Sequence, residues 1–437
     1  MQRSLIVWGG SRIGWPLLAV LVLFSIGGCY RSDSPGGSTA SAPPEPILET
    51  NALCELIDEA IDVTEARYMQ ADQQAAWQIV HGILAYGRNL QIYVDGTLVS
   101  ALDYLLEGGR LEGWKLRHGE RGLDTIVEPG SKSGQGHEDQ WIGYLSLCDI
   151  PPDQTIKHGD RVYTIFDMVT QAQWDIREGM EATWTLMALA AYQPVDAEWT
   201  ASDGQIWTVE RVVRMEANED LAESACGGTH RLTGLTVALN EYLAQGRPLT
   251  GGWKDAEEKI QWSIAKAREY QLPDGGFSSG FFFRPASTAD VALQLNTTGH
   301  TLEFLTYALT DEQLAEPWVA RAAQRVAQLL IQTRDLPVEC GSLYHAARAL
   351  QVYRLRIFGP RDFTQDNHLV NGLPEGADAV GDADDARDAL EADAAPTAGG
   401  AGNDSEDVPA AASRPTTPGS TRAATRPDTA PTVSAAP

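Results

Sequence analysis

From residue 51 onward, apolar residues fall at helical spacing along most of the chain, and the helix-like stretches come in pairs. Residues 53–69 place Leu53, Leu56, Ile57, Ala60 and Ile61 on one helical face, and residues 75–87 follow as a second, more apolar stretch. The same alternation predicts helices over 97–106, 161–176, 205–215, 254–270 and 312–333. Each precedes an apolar segment containing, in order, His137, Trp184, His230, His300 and His345. The second member of a pair is the more apolar, as in Thr185-Leu186-Met187-Ala188-Leu189, while the first carries charge, as in Lys254-Asp255-Ala256-Glu257-Glu258. Helices apolar on most sides belong inside, and charged amphipathic ones outside. The expected fold is all-α, a six-hairpin α/α toroid with inner and outer rings of helices. Strand signals are weak, the best being Leu90-Gln91-Ile92-Tyr93-Val94.

The pairs also share a register. His81, His137, Trp184, His230, His300 and His345 each stand five or so residues before an apolar residue of the second helix, at intervals of 56, 47, 46, 70 and 45 residues. A period near 46 with two longer gaps marks a repeated supersecondary unit carrying insertions. The first gap holds Glu107-Gly108-Gly109 and Pro129-Gly130, and the second holds Thr250-Gly251-Gly252-Trp253. Insertions between the units of a closed ring emerge on its faces, which makes these stretches candidate cavity walls or lids.

The two ends have a different texture. Arg3 and Arg12 precede an apolar run over 16–24 that is too short for a convincing membrane span. Ile26-Gly27-Gly28-Cys29 then resembles the lipobox of bacterial lipoproteins. That resemblance implies removal of residues 1–28 as a signal peptide, lipidation of Cys29, and a membrane-anchored protein of the cell envelope facing the periplasm or exterior. An acyl chain anchors a protein to a membrane without spanning it. Residues 29–50, rich in Ser, Gly, Ala and Pro, are expected to be a flexible tether to a toroid domain over 51–360. Residues 361–437, acidic and rich in Ala, Asp, Pro and Thr, carry too little apolar surface to offset ordering entropy and are expected to be disordered.

A net charge of −27 argues against nucleic acid as a partner. Beyond Cys29 there are Cys54, Cys148, Cys226 and Cys340; an exported compartment permits a disulfide, but spacing assigns no pairing. No resident cofactor is implied.

Histidines at the starts of inner helices point from several sides toward one end of a central cavity. There, two or three imidazoles can act as acid and base or hold a metal, and a position repeated in nearly every unit equally suits a histidine that closes the ring by bonding its neighbour. His300, Glu303 and His230 are the candidates for proton transfer, and His81, His137, Trp141, Trp184 and His345 for lining a binding face. Cys226, His230, Cys340 and His345 make up a conceivable zinc set of two thiolates and two imidazoles; thiols packed as small apolar groups are the alternative. Glu138, Asp139, Glu181 and Glu303 stand in first helical turns, where carboxylates meet the helix dipole. Trp77, Trp141, Trp184 and Trp253 offer either a stacking surface or ordinary core.

Gln271-x-x-Asp274-Gly275-Gly276-Phe277 before an inner helix resembles the repeats of the terpenoid cyclase and protein prenyltransferase superfamily, which are α/α toroids. The resemblance runs at repeat level over roughly residues 50–358 and implies fold more than activity. Asp382-Ala383-Asp384-Asp385 repeats the acid motif of one cyclase family, but inside the Asp/Ala-rich tail. Gly299-His300-x-x-Glu303 is similar to a segment of N-acylglucosamine 2-epimerases, whose histidine moves protons. Two functional expectations follow: an envelope protein that binds a small molecule or protein at its cavity face, or an enzyme acting on a carbohydrate or isoprenoid by His/Glu acid–base chemistry.

Overall fold

The computed structural model describes residues 43–130, 136–361 and 372–374. The expected signal peptide, Cys29, the Asp382–Asp385 string, and most of the expected tether and tail lie outside the described residues.

The described residues hold thirteen α-helices. They are α1 (Thr50–Glu65), α2 (Ala76–Tyr86), α3 (Ala101–Leu106), α4 (Gln140–Ser146), α5 (Ile165–Asp175), α6 (Thr183–Tyr192), α7 (Val209–Asn218), α8 (Thr229–Ala244), α9 (Gly251–Glu269), α10 (Val291–Ala308), α11 (Asp311–Leu314), α12 (Pro317–Gln332) and α13 (Cys340–Phe358). Helices α2, α4, α6, α8, α10 and α13 each pack on the next, and α13 packs back on α2. Helices α1 and α12 lie against each other and against α13, while α9 bridges α7 and α8. The burial pattern follows this division. Every residue from Thr183 to Ala190 in α6 is buried, whereas α9 buries only one stripe, Trp253, Ala256, Ile260, Ser263 and Ala267 among it.

The fold is mostly helical and not all-α. Strand β1 (Met69–Gln70) pairs with β2 (Gln91–Val94), and β2 with β3 (Thr97–Ser100). Three further hairpins join β4 (Trp114–His118) to β5 (Leu123–Val127), β6 (Thr155–His158) to β7 (Arg161–Thr164), and β8 (Glu198–Thr200) to β9 (Ile206–Thr208). Three of the stretches expected as long outer helices therefore begin as strands. Asp95 and Gly96 turn the first hairpin at φ 49° and 78°, the left-handed pair that a two-residue turn requires. Strands β3, β7 and β9 run straight into helix caps: Ser100, Thr164 and Thr208 accept from the amides of Asp103, Asp167 and Arg211, opening α3, α5 and α7.

Glycine permits the closest inner contacts. A Cβ on Gly143 would stand 2.6 Å from the Trp184 Cβ, and one on Gly299 would stand 2.7 Å from the Ala346 Cβ. Buried charge ties helices together as well. Arg348, with no exposed surface, donates to the Tyr307 hydroxyl and to the Leu147 carbonyl at 2.7 Å. Glu216 meets Arg231 at 2.5 Å.

Several expectations change at the boundaries. Thr250-Gly251-Gly252-Trp253 opens α9 instead of forming a loop, and Trp253 stacks on Tyr242 at 4.1 Å. Helix α10, capped by Asp290, starts at Val291, so His300 and Glu303 lie well inside it and not in a first turn. The end of the predicted tether is fixed: the Glu45 amide donates to the Pro273 carbonyl, and Gln324 bonds Leu48 and Pro46. Within the predicted tail, Leu373 is buried and Asn240 donates to the Gly372 carbonyl at 3.1 Å. Cys54, Cys148, Cys226 and Cys340 form no disulfide among the described residues. No helix among the described residues is long and apolar enough to cross a membrane.

Candidate functional site: a histidine cluster

Four imidazoles meet around His345. Its ring centroid lies 4.2 Å from that of His300, 4.8 Å from His230 and 5.1 Å from His81, and His230 and His300 are 5.1 Å apart. They come from α13, α10, α8 and α2, so the repeat delivers one ring per inner helix. Only His230 stands near a helix start; His81, His300 and His345 are mid-helix. His137 stands apart. It pairs with Glu181 at 2.7 Å, and Trp184, fully buried where the repeat has no histidine, stacks on it at 4.2 Å and walls it off from the other rings.

Hydrogen bonding fixes which nitrogen of two rings is available. His81 Nδ1 lies 2.5 Å from the Trp77 carbonyl and His300 Nδ1 lies 2.8 Å from the Asn296 carbonyl, each one turn earlier on its own helix. A carbonyl only accepts, so Nδ1 carries the proton in both and Nε2 offers a lone pair. His345 Nδ1 instead meets Glu303 Oε2 at 2.5 Å, and its Nε2 lies 3.2 Å from the Tyr144 hydroxyl, which is also 3.5 Å from His81 Nε2. Glu303, His345, Tyr144 and His81 thus form one chain. Gln140 donates to the same hydroxyl at 3.3 Å.

Burial sets the charge states. It holds His81 down at about 4 and pushes Glu303 up to about 8, with His300 and Arg348 pulling Glu303 partly back. Burial and the neighbouring imidazoles keep His230 and His345 well below their ordinary range. A protonated Glu303 donates to His345 Nδ1, leaving the His345 Nε2–H for the Tyr144 oxygen and the Tyr144 O–H for His81. Loss of the Glu303 proton turns the His345 bonds around. The cluster can therefore relay a proton from Glu303 to His81 Nε2 with little movement of heavy atoms, His345 and Tyr144 each giving up one proton as it takes another.

Cys226 Sγ and one nitrogen each of His230 and His300 lie within 4.8 Å of one another. Cys340 is not with them: its thiol accepts from Gln78 on α2. The expected set of Cys226, His230, Cys340 and His345 is therefore not assembled, because Cys340 starts α13 on its α2 side and His345 is bonded to Glu303. The unit next to that of Cys226 and His230 contributes His300 instead. Burial pushes the thiols of Cys226 and Cys340 both up to about 11.

The tryptophans expected as a stacking surface are all buried, with Trp77 the least so. Of these, Trp141 lines a cavity of about 500 Å³ that is walled by Ala76, Leu105, Arg110, Trp114, Lys115, Thr125, Glu128 and His158. Gly108 and Gly109 of the first insertion line it too. Trp114 Nε1 and Thr125 Oγ1 are buried without a hydrogen-bond partner among the described residues. A second hollow of about 310 Å³ lies by Asp220, Lys259, Trp262 and Phe283.

The Gln271–Phe277 motif is a turn. Gln271 donates to the Gly275 and Trp318 carbonyls, Asp274 accepts from Gly276, and the Phe277 amide donates to Thr298. Tyr144 and Arg348 are the residues that the spacing argument missed. Tyr144 lies inside α4, which begins only at Gln140 after the left-handed Asp139, so no helical register leads to it from His137. No family model matches the chain, nor does any curated protein or solved structure.

Proposed function

We propose that the chain is an α/α toroid, tethered at the cell envelope by a lipid on Cys29, that performs acid–base chemistry on a carbohydrate. The observation that carries this reading is the buried Glu303–His345–Tyr144 chain, in which a carboxyl orients an imidazole and the imidazole faces a hydroxyl. That is the arrangement by which a base or nucleophile is positioned and recharged. The cyclic packing of the six inner helices supports the toroid, and the likeness of Gly299-His300-x-x-Glu303 to the epimerase segment supports proton transfer. The carbohydrate follows from the cavity at Trp141 and Trp114. Its indoles, charged side chains and unpartnered Trp114 N–H and Thr125 hydroxyl suit a polyhydroxylated ligand better than an isoprenoid.

The full chain should turn over a member of a carbohydrate panel, and Glu303→Gln should lower kcat by about 10²–10⁴, the usual contribution of a general acid or base, while melting within a few degrees of the native chain. Undiminished turnover in Glu303→Gln would sink the assignment. The second reading, binding without chemistry, rests on that same cavity. It is favoured if a sugar binds, Trp141→Ala abolishes binding, and no turnover is detected.

A further inference from the structure

We infer that Cys226, His230 and His300 form a mononuclear site for a divalent transition metal, zinc being the ion that the ligands suit best. The Cys226 Sγ and one nitrogen of each imidazole already lie within 4.8 Å of one another. Tetrahedral zinc, with bonds of about 2.0–2.3 Å, brings such atoms to roughly 3.5 Å apart, so small side-chain rotations complete the set. One thiolate with two imidazoles is the borderline-soft mixture that zinc prefers to oxygen-only donors.

Two further features point the same way. His300 Nδ1 is held at 2.8 Å by the Asn296 carbonyl, which presents Nε2 as the lone pair and fixes the ring, the outer-shell arrangement typical of a metal-bound histidine. Cys226 itself sits at φ 50°, followed by Gly227 at 64° and Gly228 at 81°. This left-handed run places the thiol just before α8, on the side where His230 leaves that helix. Cys226 and His230 are half-buried while His300 is buried, so the thiol side of the cluster is within reach of solvent. Glu303 and His345 are not ligands here because they bond each other. The metal site stands independently of the acid–base reading. If both hold, a metal held by Cys226, His230 and His300 would lie near His345, whose ring is 4.2 Å from that of His300 and 4.8 Å from that of His230, and would supply Lewis-acid chemistry there.

The test loads the purified full chain with Zn²⁺ alone, dialyses it and measures retained metal, with circular dichroism melting to confirm the fold of each variant. A single equivalent is expected. Cys226→Ser and His230→Ala should each weaken retention by more than about tenfold, the lower bound even for an outer-shell change, while Cys340→Ser leaves it intact. Absence of retained zinc in the native chain, or full retention in Cys226→Ser, overturns the site. Should Cys226→Ser fail to fold, Co²⁺ substitution of the native chain decides. A thiolate-to-cobalt charge-transfer band upholds the site and its absence overturns it. Glu303→Gln is expected to retain zinc, so failure of the acid–base assignment and failure of the metal site give different results.

Discussion

Asp139 shows what one residue's surroundings do to it. Its backbone is left-handed at φ 57°, and its carboxyl, instead of capping α4, accepts from the Thr185 hydroxyl at 2.5 Å. Burial pushes it up to about 6, above its value in the unfolded chain. The folded state therefore holds the extra proton, and the stability Asp139 contributes is fully present below about pH 4 and lost as pH rises through 6. Asp139→Asn should keep the Thr185 bond and narrow the difference in urea midpoint between pH 4 and pH 7.5; an unchanged difference would place the titration elsewhere. Burial raises Glu216 as well, but Arg231, Thr183 and the Ala182 amide pull it partly back and between them use both of its oxygens. Glu216→Ala strands the Arg231 charge and should cost about 3–5 kcal/mol in urea denaturation. At this scale the sequence was a fair guide to the imidazoles, since their spacing of 45–47 residues survives between the insertions. It was a poor guide to Glu303, because whether a carboxylate caps a helix or is buried mid-helix depends on where the helix begins. Here the Asp290 cap starts α10 at Val291, nine residues before His300.

At the scale of elements, the paired helices were legible because their apolar stripes are long. The hairpins were not, because strands of three to five residues give too few alternations to outweigh the helical run beside them. Three of the four turns were nonetheless written as Asp95-Gly96, Gly159-Asp160 and Asp203-Gly204, each followed four residues after its second member by Ser or Thr that caps the next helix. Reading turn and cap together, and not the apolar run alone, recovers hairpin and helix in all three units. Packing between inner helices carries a sharper expectation. Because a Cβ on Gly299 would lie 2.9 Å from the Ala346 Cα, Gly299→Ala must push α10 away from α13. A loss of about 1–3 kcal/mol is expected despite the better helix propensity of alanine, and a neutral or stabilising result would show that the two helices can part freely.

For the whole molecule, the order of six helix pairs followed from the period of the sequence, while the choice of partners among the inner helices did not. Cys226 and His230 find His300 of the adjacent unit, and Cys340 finds Gln78 of the first. Linear spacing ranks pairs by distance along the chain, whereas a closed cycle of packing makes the first and last units neighbours. The anchoring proposed at Cys29 is tested at this scale too. Cys29→Ser should move the protein from the membrane fraction to the soluble fraction on cell fractionation, and unchanged partition would count against the lipid.

The return of α13 to α2 bears on how the chain acquires its structure. Gln78 and Cys340 are 262 residues apart, and Arg348 reaches the Leu147 carbonyl across 201. Contacts this remote are slow to form, because the entropy of closing the loop is lost before any of them can stabilise the fold. An emerging chain can build its early hairpins one by one, yet α2 keeps an apolar flank bare until the last inner helix is made. A chain interrupted ahead of Cys340 leaves that flank permanently uncovered, which makes such fragments natural substrates for chaperones and proteases.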